Sequence, residues 1–126
     1  MTRPLLLLAG LLAFVLPAGA ETGMDEEIDY LLQAVAASGC IFIRNGKEAQ
    51  AADAVDHLQM KRKRGKRYYS STEEFIDRIA SSSSWSGKPY LIACGDADPA
   101  PIRDWYLEAL HEFRSRKPAA ATKESL

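Results

Sequence analysis

Cysteine and histidine are scarce in this chain of 126 residues, with two of each, and the scarcity rules out several kinds of chemistry. Cys40 and Cys94 are far apart, so there is no Cys-x-x-Cys pair for redox catalysis or for a zinc ribbon. His57 and His111 stand in no metal-ligand spacing, and no Asp or Glu is singled out to complete a metal site. A phosphate-binding loop of the Walker type is missing, because the glycine pair and its following helix are absent. A Ser-x-x-Lys motif ending at Lys88 would need a hydroxyl where Trp85 stands. These absences single out no catalytic residue, no metal and no cofactor.

Long apolar runs are also lacking, apart from one at the N-terminus. Arg3 precedes an apolar stretch from Leu5 to Leu16, followed by Pro17 and the small residues Ala18, Gly19 and Ala20. This order predicts a secretory signal peptide over residues 1–20, cleaved before Glu21. The run is shorter than the roughly 20 apolar residues of a membrane-spanning helix, and no cysteine follows it where a lipid anchor would need one. Export of a single domain over residues 21–117 to the periplasm is therefore expected. Residues 118–126, rich in Ala, Thr, Lys, Glu and Ser without apolar periodicity, read as a disordered tail.

Neither sign of charge dominates. The chain carries 16 basic and 17 acidic residues; loss of Arg3 with the leader leaves a net charge of −2, which gives no general attraction to nucleic acid. The cations are nevertheless crowded: Lys61, Arg62, Lys63, Arg64, Lys66 and Arg67 fall within one short run.

Apolar periodicity places the elements. Ile28, Leu31, Leu32, Val35 and Ala36 share a helix face, with Asp25, Glu26 and Glu27 in the first turn where the dipole favours them, Thr22 as a cap and Gly39 as the stop. Cys40 to Ile43 reads as a strand ending in a turn at Arg44, Asn45 and Gly46. A second helix follows from Ala49 to Lys63, bearing Ala51, Ala54, Val55 and Leu58. Ser71 and Glu74 have the spacing of a capping box and open a third, with Phe75, Ile76, Ile79 and Ala80 inward. Ser81 to Lys88 forms turns leading into a second strand, Tyr90 to Cys94. Asp98 and the prolines 99 and 101 introduce a last helix faced by Ile102, Trp105, Tyr106, Ala109, Leu110 and Phe113.

Each strand needs a partner for its backbone, and the other strand is the simplest. An antiparallel register placing Phe42 opposite Ile92 sets Cys40 opposite Cys94, where an oxidising compartment favours a disulfide; the alternative is two buried thiols. The expected fold is α+β, four helices around a two-stranded antiparallel sheet, with one disulfide.

Several separated blocks occur in a fixed order: Phe42 to Gly46; His57, Leu58 and Lys61; Thr72, Glu73 and Phe75 to Ser81; and Ser83, Ser84 and Ser86 to Tyr90. This series resembles the YfeK-like family of bacterial envelope proteins, a domain of unknown function (family 5329), over most of the mature chain. The resemblance implies an exported single domain of a Gram-negative envelope and no particular activity.

Three functional readings remain open. The basic run, followed by Tyr68 and Tyr69, suits an anionic envelope polymer, lipid headgroups or lipopolysaccharide phosphates, and antiparallel strands bring Arg44 and Lys88 to one sheet edge where they would bind an anion. The plainer view is a solvated helix end whose cations suit the C-terminal dipole, beside two ordinary turns. Alternatively, His57 lies between Asp53 and Lys61 on one helix face, an arrangement for acid/base work in a small envelope hydrolase or simply a solvated face. A third reading is a structural or chaperone-like partner of another envelope protein.

Overall fold

The computed structural model describes residues 22–124, with side chains to residue 116. The expected signal peptide lies outside the described residues, as does the end of the expected tail.

Helix α1, Met24–Ala37, buries Ile28, Leu31, Leu32 and Val35, the face set by its apolar spacing. Its N-cap is Gly23 rather than Thr22; the Thr22 hydroxyl donates instead to the Glu27 carboxylate. At the other end Ser38 Oγ donates to Val35 O at 2.9 Å, and Gly39, at φ 70°, takes the left-handed conformation that turns the chain into β1.

Strand β1, Ile41–Arg44, is followed by Asn45 and Gly46 at φ 53° and 80°. Positive φ at both positions makes a two-residue hairpin turn whose twist matches that of the flanking strands. The chain therefore returns as β2, Lys47–Ala49, with Arg44 opposite Lys47 and Phe42 opposite Ala49. Helix α2 accordingly starts at Ala51 and runs to Arg64, two residues later than its apolar pattern suggests.

Strand β3, Leu91–Ala93, pairs antiparallel with β1, with Phe42 opposite Ile92 as the sequence predicts. Two positions along that same register, just past the pair Ile41 and Ala93, Cys40 and Cys94 are joined in a disulfide, with a Cα–Cα distance of 4.4 Å. Ala100–Pro101 adds a short edge strand, β4, to β3, where the missing amide hydrogen of proline does no harm. The sheet thus has four strands in the order β2-β1-β3-β4, a correction to the expected two. The added strands escape periodicity because one is polar and the other has two residues.

The expected third helix divides. Ser71 Oγ accepts from Glu74 N at 3.1 Å, but the Glu74 carboxylate reaches the backbone of Ser70 rather than Ser71. One α-turn, α3 at Thr72–Phe75, then widens into a π-turn over Ile76–Ala80. Helix α4, Ile102–Glu124, opens directly after β4; Ile102 N donates to Tyr90 O at 2.9 Å, so Asp98 lies upstream of the helix start. The α+β core gathers α1, the π-turn, the inner face of the sheet and α4, with Ile28, Leu31, Phe75, Ile76 and Tyr106 almost wholly enclosed. Tyr30 and Phe113 stack at 4.4 Å and continue the contact of α1 with α4.

Candidate functional site: a cationic cleft

Where α2 ends, the π-turn packs against it so closely that a Cβ on Gly65 would lie 2.6 Å from Ile79 Cδ1. Beside this contact, α2, the π-turn, the β1–β2 turn and the Ser81–Lys88 loop enclose a cleft of about 660 Å³. Four cationic side chains line it, Arg44, Lys61, Arg64 and Arg78, together with His57, and no carboxylate does. Hydroxyls and aromatic rings supply the rest: Ser83, Ser84, Tyr68, Tyr90 and Trp85, over an apolar strip from Met60 and Ile79.

Helical rotation of about 100° per residue explains how the basic run is divided. Lys61, with Arg64 one turn on and His57 one turn back, faces the cleft. Lys61 is only 7 % exposed, its ammonium donating to Ser82 O at 2.7 Å and Tyr90 Oη at 3.0 Å. Arg62 turns the other way and bonds Asp29 at 2.8 Å and Asp25 at 3.4 Å on α1. Lys63 and Lys66 line neighbouring depressions of about 500 and 410 Å³ and not the cleft, and the Arg67 guanidinium lies 5.2 Å from the centre of the Tyr68 ring. Lys88 is exposed and is not among the residues lining the cleft; the structure does not bring it together with Arg44 there.

Tyr90 is the hub of the cleft floor. Its oxygen accepts from Lys61 and lies 3.2 Å from His57 Nε2. Burial, with the positive charges of Arg44 and Lys61 adding to it, lowers the His57 pKa, so a neutral imidazole accepting the Tyr90 proton satisfies all three groups. Burial and then the charge of Arg44 bring Lys61 down to about 8, while burial raises Tyr90 despite Arg44. No ion pair links His57 to Asp53 among the described residues; Asp53 lines an adjoining pocket of about 70 Å³ that shares Arg44, His57 and Tyr90 with the cleft.

The serine loop is held by its own hydroxyls. Ser83 Oγ accepts from the backbone of Trp85 and Ser86, both at 3.2 Å. Asn45 clips the loop to the β1–β2 turn, donating to Ser83 Oγ at 3.3 Å and accepting from Ser86 Oγ at 2.6 Å. Arg78 comes from the π-turn and donates to Tyr68 O at 3.0 Å. Sequence reasoning singled out neither Arg78 nor the pair Trp85 and Tyr90 as site residues. The usable signal was the Asn-Gly turn, which aims the end of β1 at the serine loop. Among the described residues no three His, Cys, Asp or Glu side chains converge as metal ligands, and no helix is long and apolar enough to cross a membrane.

A disulfide-closed α+β domain with a carboxylate-free cationic cleft is the class defined by fold and site. Residues 22–114 match the family described as "Family of unknown function (DUF5329)", and the chain belongs to it. It is 40 % identical over 82 residues to the "Uncharacterized protein YfeK" of Salmonella typhimurium, an alignment covering 63 % of this chain and 68 % of that one. No solved structure matches the chain.

Proposed function

We propose that this protein is exported to the bacterial periplasm, loses residues 1–20, and works there as a non-catalytic binding module that takes an anionic group of the envelope into the cleft. The observation that carries this reading is the lining: Arg44, Lys61, Arg64 and Arg78 around one cavity with no carboxylate among them. Guanidinium groups bind phosphate or carboxylate through charge-assisted, paired hydrogen bonds, and Ser83, Ser84 and Asn45 add neutral polar groups at the same wall. The disulfide supports export, since such bonds persist outside the reducing cytosol.

Calorimetric titration with tripolyphosphate tests the reading. Binding should weaken with rising salt and fall by about tenfold or more in Arg44→Gln and again in Arg64→Gln, each losing a hydrogen bond to a charged group, while Lys88→Gln stays at wild-type affinity. Wild-type protein that takes up no polyanion, or equal losses in all three variants, removes the proposal.

The Lys61–Tyr90–His57 chain favours a second reading, a small envelope hydrolase or acid/base enzyme centred on His57. A hit in an activity screen on envelope substrates should disappear in His57→Ala; a fully active variant excludes it.

A further inference from the structure

Trp85 and Tyr68 are the two large hydrophobic side chains left exposed among the described residues, at 90 % and 54 %, and both line the same cleft. An apolar ring held in water in this way marks a contact surface when it is joined to others. Here the two rings come from different segments, Trp85 from the serine loop and Tyr68 from a single 3₁₀ turn, Lys66–Tyr68, that follows α2. Cations surround them: Arg67 lies against the Tyr68 ring, and Arg78 holds the Tyr68 carbonyl while also pairing with Glu74 at 3.4 Å. Lys63 shares a depression with Met60 and Arg64, which also line the cleft. The carboxylates that pair with α2, Asp25 and Asp29, stand on the side of Arg62.

Amphipathic Trp and Tyr rings ringed by Lys and Arg are complementary to the boundary of an anionic bilayer, where the rings settle at headgroup depth and the cations meet phosphate. We infer that the mouth of this cleft docks on an anionic lipid surface, with Trp85 and Tyr68 seated among the headgroups and a lipid phosphate entering between Arg44, Arg64 and Arg78. The inference rests on the anion-binding reading and names the source of the anion. Each basic side chain near such a surface multiplies partitioning by about fivefold, so an electrically neutral surface should hold the protein far more weakly.

The test uses vesicles of phosphatidylglycerol in phosphatidylcholine, vesicles of phosphatidylcholine alone, and tripolyphosphate as the soluble anion. Sedimentation should retain the protein on the first vesicles and not on the second. Lipids brominated along the acyl chain should quench tryptophan emission in the wild type and not in Trp85→Phe. Trp85→Ser with Tyr68→Ser should lower binding to the phosphatidylglycerol vesicles by tenfold or more, whereas Lys88→Gln, outside the cleft, should leave it within twofold. Vesicle binding that persists in that double variant, or without quenching of Trp85, overturns the docking. Tripolyphosphate binding without vesicle binding also overturns it and leaves a cleft for soluble anions. Failure of both probes removes the cleft reading as well.

Discussion

Glu27 is 3 % exposed at the start of α1 and joins three parts of the chain. Its carboxylate accepts from Thr72 at 2.6 Å and from Arg114 at 2.8 and 2.9 Å, and it also accepts from Thr22. Burial alone would raise its pKa, but the hydrogen bonds from Arg114, Thr22 and Thr72 outweigh that effect and hold it at about 2, below the ordinary 4.5. A carboxyl whose folded pKa is depressed contributes stability that is complete above its unfolded pKa and is lost as pH falls toward the folded one. The full linkage is about 3 kcal/mol. Because Arg114 is 42 % exposed, solvent screening reduces this to about 2 kcal/mol. Glu27→Gln should therefore destabilise the protein by about 2 kcal/mol at pH 7, measured by urea unfolding. The gap from wild type should narrow as pH falls from 4.5 toward about 2, because the carboxyl takes up its proton first in the unfolded chain and in the folded protein only near the lower value. Curves for the two proteins that run parallel from pH 7 to pH 3 would refute the assignment of this stability to the ionised carboxylate.

Replacing both Cys40 and Cys94 by alanine opens a ring with a sequence separation of 54 and should cost about 4 kcal/mol on the chain-entropy account, seen as a lower urea midpoint. Gly65→Ala drives a methyl group into Ile79 Cδ1 and to 3.0 Å from Lys61 O, a cost of about 1–3 kcal/mol; adding Ile79→Val, which deletes that Cδ1, should restore part of it in thermal melts, and strict additivity would show that the clash is not the cause. Tripolyphosphate affinity should fall as pH rises through about 8, where Lys61 loses its proton and the cleft a positive charge. Lys61→Met should flatten that part of the titration, and an unchanged pH profile in the variant would exclude Lys61 as its source.

Apolar periodicity made α1, α4 and the central strand pair legible, and the alignment of Phe42 with Ile92 carried the Cys40–Cys94 contact with it. The outer strands were not legible. Lys47, Glu48 and Ala49 have no apolar alternation, and only the left-handed pair Asn45 and Gly46 betrays the hairpin. The π-turn was hidden too, because Ile76, Ile79 and Ala80 fit a 3.6-residue repeat as well as a wider one. For the site, the sequence contained Arg44 and the basic run but treated neighbours in the chain as neighbours in space. Rotation along α2 sends Lys61 inward and Arg62 toward α1. Arg78 and Trp85 join the cleft only through tertiary packing of the π-turn and the serine loop, which no local pattern encodes.

All the residues that line the cleft, from Arg44 to Tyr90, fall between the two bridged cysteines. The binding surface is thus carried on a covalent macrocycle, and α1 and α4 brace it from outside. A protease that cuts once in the serine loop would leave both halves of the cleft tethered to each other through sulfur. Such a nick would release no fragment until a reductant was added.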